Sequence, residues 1–195
     1  LYNTLFADYT EHISAGREEK YTINGTVLSN YFDIEEIKGI VTANSKTGLY
    51  GVSESAGKER ITVGNDTVDC GNISADAYLG CSVKAYVKRE NDGTCELWHI
   101  EYNKNNNITE IQYDELGEVS LDGSCTYWNG SKKADARLSK TASVIYNGRF
   151  ASILYNADPK WFELENGCVN LIDAENDGVY ETIIISEAAI MIANG

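Results

Sequence analysis

Short apolar, β-branched runs alternate with turns rich in Gly, Asn and Asp along most of this chain. Runs of this length and spacing are typical of an all-β sandwich or barrel and not of alternating strands and helices. Ten segments have this character, and we predict each to be a strand: 20–28, 36–44, 59–64, 81–89, 95–102, 108–113, 126–129, 143–147, 167–172 and 180–186.

Helical periodicity is scarce. Apolar residues near helical spacing in 1–14 predict one amphipathic helix, which Gly16 would end. Two shorter segments, 74–79 and 158–164, predict single helical turns, the second with Pro159 at its first position.

The order of these elements predicts three parts. An N-terminal segment, 1–30, would contain the helix and then a strand. Residues 31–116 contain five strand-like segments in the order expected of a small closed barrel, and 117–195 would form a second β unit. The predicted fold is therefore all-β, with two small barrel-like or sandwich-like units and a short N-terminal helical segment.

An acidic loop lies between the last two predicted strands. Its first, third, fifth and ninth places are acidic: Asp173, Glu175, Asp177 and Glu181. Gly178 stands at the sixth place, where a sharp reversal is needed, and the carbonyl of Val179 would supply a further oxygen. Ca²⁺ prefers roughly 6–8 oxygen ligands, so this hairpin loop is predicted to bind Ca²⁺.

A plain hairpin turn is the alternative interpretation of the acidic loop. Asn, Asp and Gly favour tight, hydrated turns without any metal. The loop also has Ile184 at its twelfth place, where the helix–loop–helix calcium motif has a bidentate Glu. Both interpretations stay open from the sequence.

The charge balance restricts the partners. With a formal net charge of −14 and a pI near 4.5, the chain would be repelled by nucleic acid. No run of about 18 apolar residues is present, which predicts no membrane span. The chain lacks an initiating Met and a signal peptide, so we expect it to derive from a longer one. The acidic excess fits an extracellular or particle setting.

Five widely spaced cysteines accompany two histidines, without any C-x-x-C spacing. This set is a poor zinc site, and the odd count indicates buried, reduced thiols, with one or two disulfides as the alternative. There is likewise no G-x-S-x-G, H-E-x-x-H or Walker motif. The sequence therefore predicts a protein that is not an enzyme.

Two features indicate binding to other molecules. Trp128 stands at a predicted turn edge, where its ring could stack on a glycan, although large aromatics also fill small β cores. The apolar segment 183–192 would either pack as a last strand or lead to self-association or a neighbouring module.

Three sequence motifs follow one another along the chain: LGCSVKAYV (79–87), SVIYNG (143–148) and GCVNLIDAENDGVYETI (167–183). Together they resemble β-rich modules of large surface proteins of Firmicutes, such as S-layer-type proteins, and of virion proteins of phages that infect these bacteria. The resemblance spans about 36–187 and departs from the family phrase at Glu175 and Glu181. It implies a structural, non-catalytic module at the cell surface or in a virion.

Overall fold

The computed structural model describes residues 22–23, 26–27, 33–51, 59–91 and 93–187. The predicted helix over 1–14 lies outside these residues. The described part is mainly β, with helical structure only in short 3₁₀ turns, and the all-β prediction is confirmed. Among the described helices, none has the length and apolar character needed to cross a bilayer.

The described strands, in chain order, are β1 (Thr22–Ile23), β2 (Thr26–Val27), β3 (Ile34–Ala43), β4 (Arg60–Val63), β5 (Asp66–Asp69), β6 (Ser82–Arg89), β7 (Cys95–Tyr102), β8 (Asn107–Gln112), β9 (Leu116–Ser120), β10 (Ser124–Asn129), β11 (Lys132–Tyr146), β12 (Arg149–Ile153), β13 (Cys168–Asp173) and β14 (Tyr180–Ser186). The 3₁₀ turns are Asp76–Tyr78, Leu154–Asn156 and Pro159–Phe162. Two of these turns fall in the segments 74–79 and 158–164, as predicted. Asp158 begins the second one by accepting a hydrogen bond from the Lys160 amide.

The first sheet is a five-stranded barrel with the order β3-β4-β5-β7-β6, in which β6 returns to β3. The barrel closes through one parallel residue pair, Asp69 opposite Glu96, whereas every other pairing is antiparallel. The sequence predicts a small closed barrel here, and a five-stranded barrel is present, but its strands include β5 instead of the predicted segment 108–113.

The barrel core follows largely from the alternation of inward and outward side chains along the strands. In β6, Val83, Ala85 and Val87 point inward and are fully buried, while their neighbours Lys84 and Lys88 face outward. The barrel itself contributes the following further buried members of this core, from its remaining strands and from the connection between β5 and β6: Val41, Ile61, Val63, Val68, Cys70, Ala75, Cys81, Cys95, Leu97 and Ile100.

The second sheet has the order β8-β13-β14-β11-β10-β9, with β12 also paired to β11. The 15-residue strand β11 holds this sheet together. Its first half pairs with β10, and its second half runs parallel to β14 after a register shift between Leu138 and Ser143. One face of the sheet carries the second core, which includes Ile111, Leu171 and Ile183.

The opposite face of β13 and β14 packs against the barrel. Ile172 belongs to the barrel core, and a small joint cluster contains Leu49 and Leu79 from the barrel side and Ile145 from the second sheet. Gly80 lies directly on Thr182, so close that a Cβ at Gly80 would stand 2.8 Å from Thr182 Cγ2. The two sheets therefore share a continuous apolar contact.

The loop after β3 also crosses to the second sheet. The backbone amide of Tyr50 donates to Ser143 Oγ at 2.9 Å, and the Phe150 amide donates to Thr47 Oγ1 at 2.8 Å. Ser143 is fully buried and Thr47 nearly so. Buried hydrogen bonds of this kind hold the loop in one position between the two sheets.

The sequence-based boundary between residues 116 and 117 assigns β8 to the barrel unit, but in the structure β8 belongs to the second sheet. It pairs along its whole length with β13, so the chain leaves the barrel in the turn between Tyr102 and Asn107. The sequence-based assignment of 108–113 to the barrel was wrong, because alternation of apolar and polar residues predicts a strand but not the strand with which it pairs. The division of the chain into the parts 1–30, 31–116 and 117–195 stays a prediction.

All five cysteines are free thiols, and four of them are buried. The interpretation as reduced core residues agrees with the structure, which forms none of the alternative disulfides. Burial raises the pKa of the Cys81 thiol to about 12 and of the Cys70 and Cys125 thiols to about 11. These thiols are therefore protonated at neutral pH and act as small apolar side chains.

Candidate metal centre

The acidic loop joins β13 and β14, which form a regular antiparallel hairpin from Cys168 opposite Ser186 to Ile172 opposite Thr182. The predicted β-hairpin is therefore confirmed. Asn176 and Gly178 adopt positive φ angles of 58° and 84°, and these two residues reverse the chain. Asn is among the side chains that accept this conformation, and Gly does so without steric cost.

Asp173 holds the turn in place through hydrogen bonds to its backbone. It is the last residue of β13 and is fully buried. Its Oδ1 accepts a hydrogen bond from the Asp177 amide at 3.2 Å, and its Oδ2 accepts one from the Gly178 amide at 2.9 Å. A buried carboxylate needs such partners, and these two bonds fix its oxygens beneath the loop.

Two further carboxylates meet Asp173 at the mouth of the hairpin. Asp177 is exposed and accepts a hydrogen bond from the Val179 amide at 2.9 Å, while the half-buried Glu181 accepts one from the Ala174 amide at 3.4 Å. One oxygen from each of Asp173, Asp177 and Glu181 lies within 4.8 Å of the other two. We call these three residues the acidic triad.

The spacing of the triad suits a hard divalent cation. Ca²⁺–oxygen distances of about 2.3–2.6 Å allow two ligand oxygens to stand up to roughly 5 Å apart across one ion. The buried side of the triad is supplied by Asp173, and the exposed side chain of Asp177 leaves room for water ligands. Three carboxylates can therefore hold a metal ion here, and the metal itself is not identified by this geometry.

The other two predicted ligands lie in the same loop but outside the triad. Glu175 is exposed, and the structure does not bring it together with the three converging carboxylates. Val179 contributes its amide to Asp177 Oδ1, and its carbonyl as a metal ligand stays a prediction. The third place of the loop therefore differs from the pattern expected of a calcium loop.

The triad concentrates negative charge without a nearby cation. Among the described residues, no Lys or Arg forms an ion pair with any of its three carboxylates. Burial raises the pKa of Glu181, and repulsion from Asp173 and Asp177 raises it further, against the lowering effect of the Ala174 hydrogen bond. A bound cation would remove this repulsion.

Tyr50 is a neighbour of the triad that the sequence does not reveal. It belongs to the loop after β3, yet burial and then the charges of Glu181 and Glu175 raise the pKa of its phenol. The hairpin therefore lies beside the loop that connects the two sheets. Only the folded arrangement brings residues 50 and 181 together, and no local sequence signal marks this pair.

The raised pKa of Glu181 predicts a pH dependence that Ca²⁺ should remove. Without metal, the folded chain holds this proton more tightly than the unfolded chain. The protonated Glu181 therefore contributes to the free energy of unfolding. This contribution is complete below the ordinary pKa near 4.5, and it is lost as pH rises through the raised pKa. In EGTA, Glu181→Gln should thus have a higher Tm than the wild type at neutral pH.

The measurement is thermal unfolding of both proteins from pH 4 to pH 8, in EGTA and in Ca²⁺. Glu175→Gln is the matched control, because it removes the same charge from the same hairpin outside the triad. In Ca²⁺, the wild type should gain stability that Glu181→Gln does not gain. Equal behaviour of the two variants in both buffers would contradict a metal role for the triad.

Trp128 is exposed, with 47% of its surface accessible, as its position at a turn edge predicts. It lies on β10 opposite Lys133, on the face away from the second core, and its amide donates to the Glu115 carbonyl at 2.8 Å. The other two tryptophans differ. Trp161 packs on the second core, and Trp98 is half-buried beside a cavity of the barrel.

No relative identifies the chain. Comparisons with protein families, with curated proteins and with solved structures found no match. Within the described part of the chain, the features that bear on function include the acidic triad, the exposed Trp128 and the edge strands of the second sheet.

Proposed function

We propose that the chain is a non-enzymatic structural module of an extracellular surface layer, filament or virion, which self-associates or binds neighbouring modules. The shared apolar contact between the two sheets supports this proposal, because it makes the two units one packed body. A building block of a layer or particle has to transmit force across its whole length, and a close-packed junction does so.

The edge strand β8 is the observation that carries the proposal. Within the described residues it pairs only with β13, and its register runs without a bulge from Asn107 to Gln112. It contains neither Pro nor Lys, two residues that often protect an edge, and its one charged residue is Glu110. Ile108 on this strand and Tyr113 just after it are 43% and 45% exposed.

A regular edge strand of this kind can extend its sheet with a strand from another molecule. The backbone groups of β8 that no described residue pairs with would supply the hydrogen bonds, and the exposed Ile108 would supply apolar contact. The segment 183–192 serves less well, because Ile183 and Ile185 are fully buried in the interior strand β14. Residues 188–192 lie outside the described part.

The acidic triad would bind Ca²⁺ in this proposal and stiffen the hairpin beside the junction. Its neighbour Tyr50 belongs to the loop that bridges the two sheets, so a cation at the triad would act where the units meet. The net charge of −14 opposes contact between two copies, and divalent cations would reduce that repulsion. Association should therefore strengthen when Ca²⁺ replaces EGTA.

Ile108→Lys should weaken self-association while leaving the fold intact. The added charge would have to be buried between two strands, and its desolvation opposes pairing. Light scattering after size-exclusion chromatography measures the mass of each species in Ca²⁺. Thr67→Lys is the matched control, since it adds the same charge to an exposed strand position of the barrel. Equal loss of association in both variants would contradict pairing through β8.

A glycan-binding or host-binding adhesion module is the second candidate function. It is favoured by the exposure of Trp128 on a strand face that also carries Lys133 and Asp135. An exposed ring flanked by polar groups suits one face of a sugar. This function predicts that glycan binding disappears in Trp128→Ala, while the association state stays that of the wild type.

A further inference from the structure

We propose that a cavity beside Trp98, in the wall of the barrel, binds a neutral sugar ring. The cavity has a volume of about 460 Å³, within the roughly 300–1,000 Å³ typical of small-molecule sites. It lies between the turn after β5 and the strand β7. Its walls include Gly71, Asn72, Ile73, Glu96, Leu97 and Trp98.

The cavity exists because the barrel closes through a single residue pair. β5 meets β7 only at Asp69 and Glu96, and the chain then turns away. Asp69 Oδ1 accepts a hydrogen bond from the Gly71 amide at 3.0 Å, and Gly71 has a φ of 51°. Apart from the two chain neighbours of Gly71, no heavy atom of the described residues lies within 4 Å of the position that a Cβ on Gly71 would take, so this side of the turn is open.

A β-bulge directs Trp98 toward this opening. In the pairing of β6 with β7, Val87 is opposite Leu97 and Tyr86 is opposite His99, which leaves Trp98 as the inserted residue. Bulges commonly redirect a side chain at a functional position. Leu97 points into the barrel core and is buried, whereas Trp98 is half-buried and lines the cavity.

The polar groups beside the Trp98 indole indicate which class of ligand the cavity would bind. Glu96 and Asn72 are exposed and bring a carboxylate and a carboxamide to the cavity. None of the described residues that line the cavity is basic, so an anionic ligand would meet the Glu96 carboxylate without a positive charge in the walls. A sugar ring presents an apolar C–H face to an aromatic ring, and its hydroxyls donate to carboxylate and amide oxygens.

An organic ammonium ion is the rival ligand, since a carboxylate and an indole also attract a cation. Recognition of such ions typically uses a cage of several aromatic rings, whereas the described residues that line this cavity include a single aromatic side chain, Trp98. The sugar is therefore the better fit. This site is distinct from Trp128, which lies on the second sheet, and it does not depend on self-association.

The test is saturation-transfer NMR of the full chain with cellobiose, maltose, lactose, mannobiose and N,N′-diacetylchitobiose, followed by titration of any sugar that binds. Choline chloride is titrated in parallel. At least one disaccharide should bind saturably, and Trp98→Leu should raise its Kd by about tenfold or more, which corresponds to about 1.4 kcal/mol. Tyr155→Leu is the matched control, because it removes an exposed aromatic ring outside the cavity, and it should leave this Kd unchanged.

Glu96→Ala provides a second variant in case Trp98→Leu does not fold, because the Glu96 side chain is exposed. This variant should keep the wild-type Tm and raise the Kd of the same sugar by several-fold. The proposal is overturned if no disaccharide of the panel binds, or if choline binds and the sugars do not. It is also overturned if a folded Trp98→Leu, or otherwise Glu96→Ala, keeps the wild-type Kd.

Discussion

Gly80→Ala is expected to lower the free energy of unfolding by about 2–5 kcal/mol. Gly80 has a φ of 82°, a conformation that costs an L-residue roughly 1–2 kcal/mol. The new Cβ would also stand 2.8–2.9 Å from Thr182 Cγ2, Cβ and Oγ1. Because Thr182 is buried in the central strand β14, it cannot move aside without disturbing the contact between the two sheets.

Gly64→Ala is the matched control for this substitution. Gly64 has a φ of 59°, but no atom lies within 4 Å of its Cβ position, so only the conformational cost of roughly 1–2 kcal/mol applies. Urea unfolding of both variants, with Thr182→Ala and the double variant Gly80→Ala/Thr182→Ala, isolates the steric contribution. Equal losses for Gly80→Ala and Gly64→Ala would contradict a tight junction at Thr182.

Asp173→Asn is the second substitution with a large expected effect, a loss of about 2–4 kcal/mol even in EGTA. Both carboxylate oxygens of Asp173 accept backbone hydrogen bonds in a fully buried position. An amide has one oxygen, so one of the two amides, of Asp177 or Gly178, would face an NH₂ group. Reduced repulsion from Glu181 offsets part of this cost.

Ca²⁺ should increase the loss in Asp173→Asn, because the variant no longer gains the stability that metal binding gives the wild type. The sequence pattern alone predicts a loss that appears only with Ca²⁺, and the buried hydrogen bonds add a metal-independent part. Asp177→Asn is therefore the cleaner comparison. It is exposed, so its loss should be small in EGTA and clear in Ca²⁺. Unfolding curves with identical losses in both buffers would contradict a bound ion.

Strands with a clear alternation were predictable from sequence. The predicted segments 95–102 and 180–186 coincide with β7 and β14, because both combine β-branched or aromatic residues with sharp polar boundaries. The acidic hairpin was predictable for the same reason, since two apolar runs flank a Gly-containing turn.

Strands whose stability comes from their partners were missed. β5 reads Asp-Thr-Val-Asp and buries a single side chain, Val68, so its local pattern resembles a turn. β9 contains Gly117, and the polar first half of β11 has long stretches facing solvent. These segments become strands because their neighbours supply the hydrogen bonds, a tertiary effect that local propensity does not carry.

The site was predictable only in part. Three of the four predicted carboxylates converge, but loop spacing does not reveal that Asp173 is buried or that Glu175 points elsewhere. Tyr50, which lies near the charges of Glu181 and Glu175, belongs to a loop more than a hundred residues earlier in the chain. Such neighbours depend on how the barrel packs on the second sheet.

Sedimentation velocity of the full chain over a range of concentrations, in Ca²⁺ and in EGTA, tests the proposed structural role most directly. A self-associating module should show sedimentation coefficients that rise with concentration, and Ca²⁺ should shift this rise to lower concentrations. A single monomeric species, independent of concentration and of Ca²⁺, would contradict the structural assembly role.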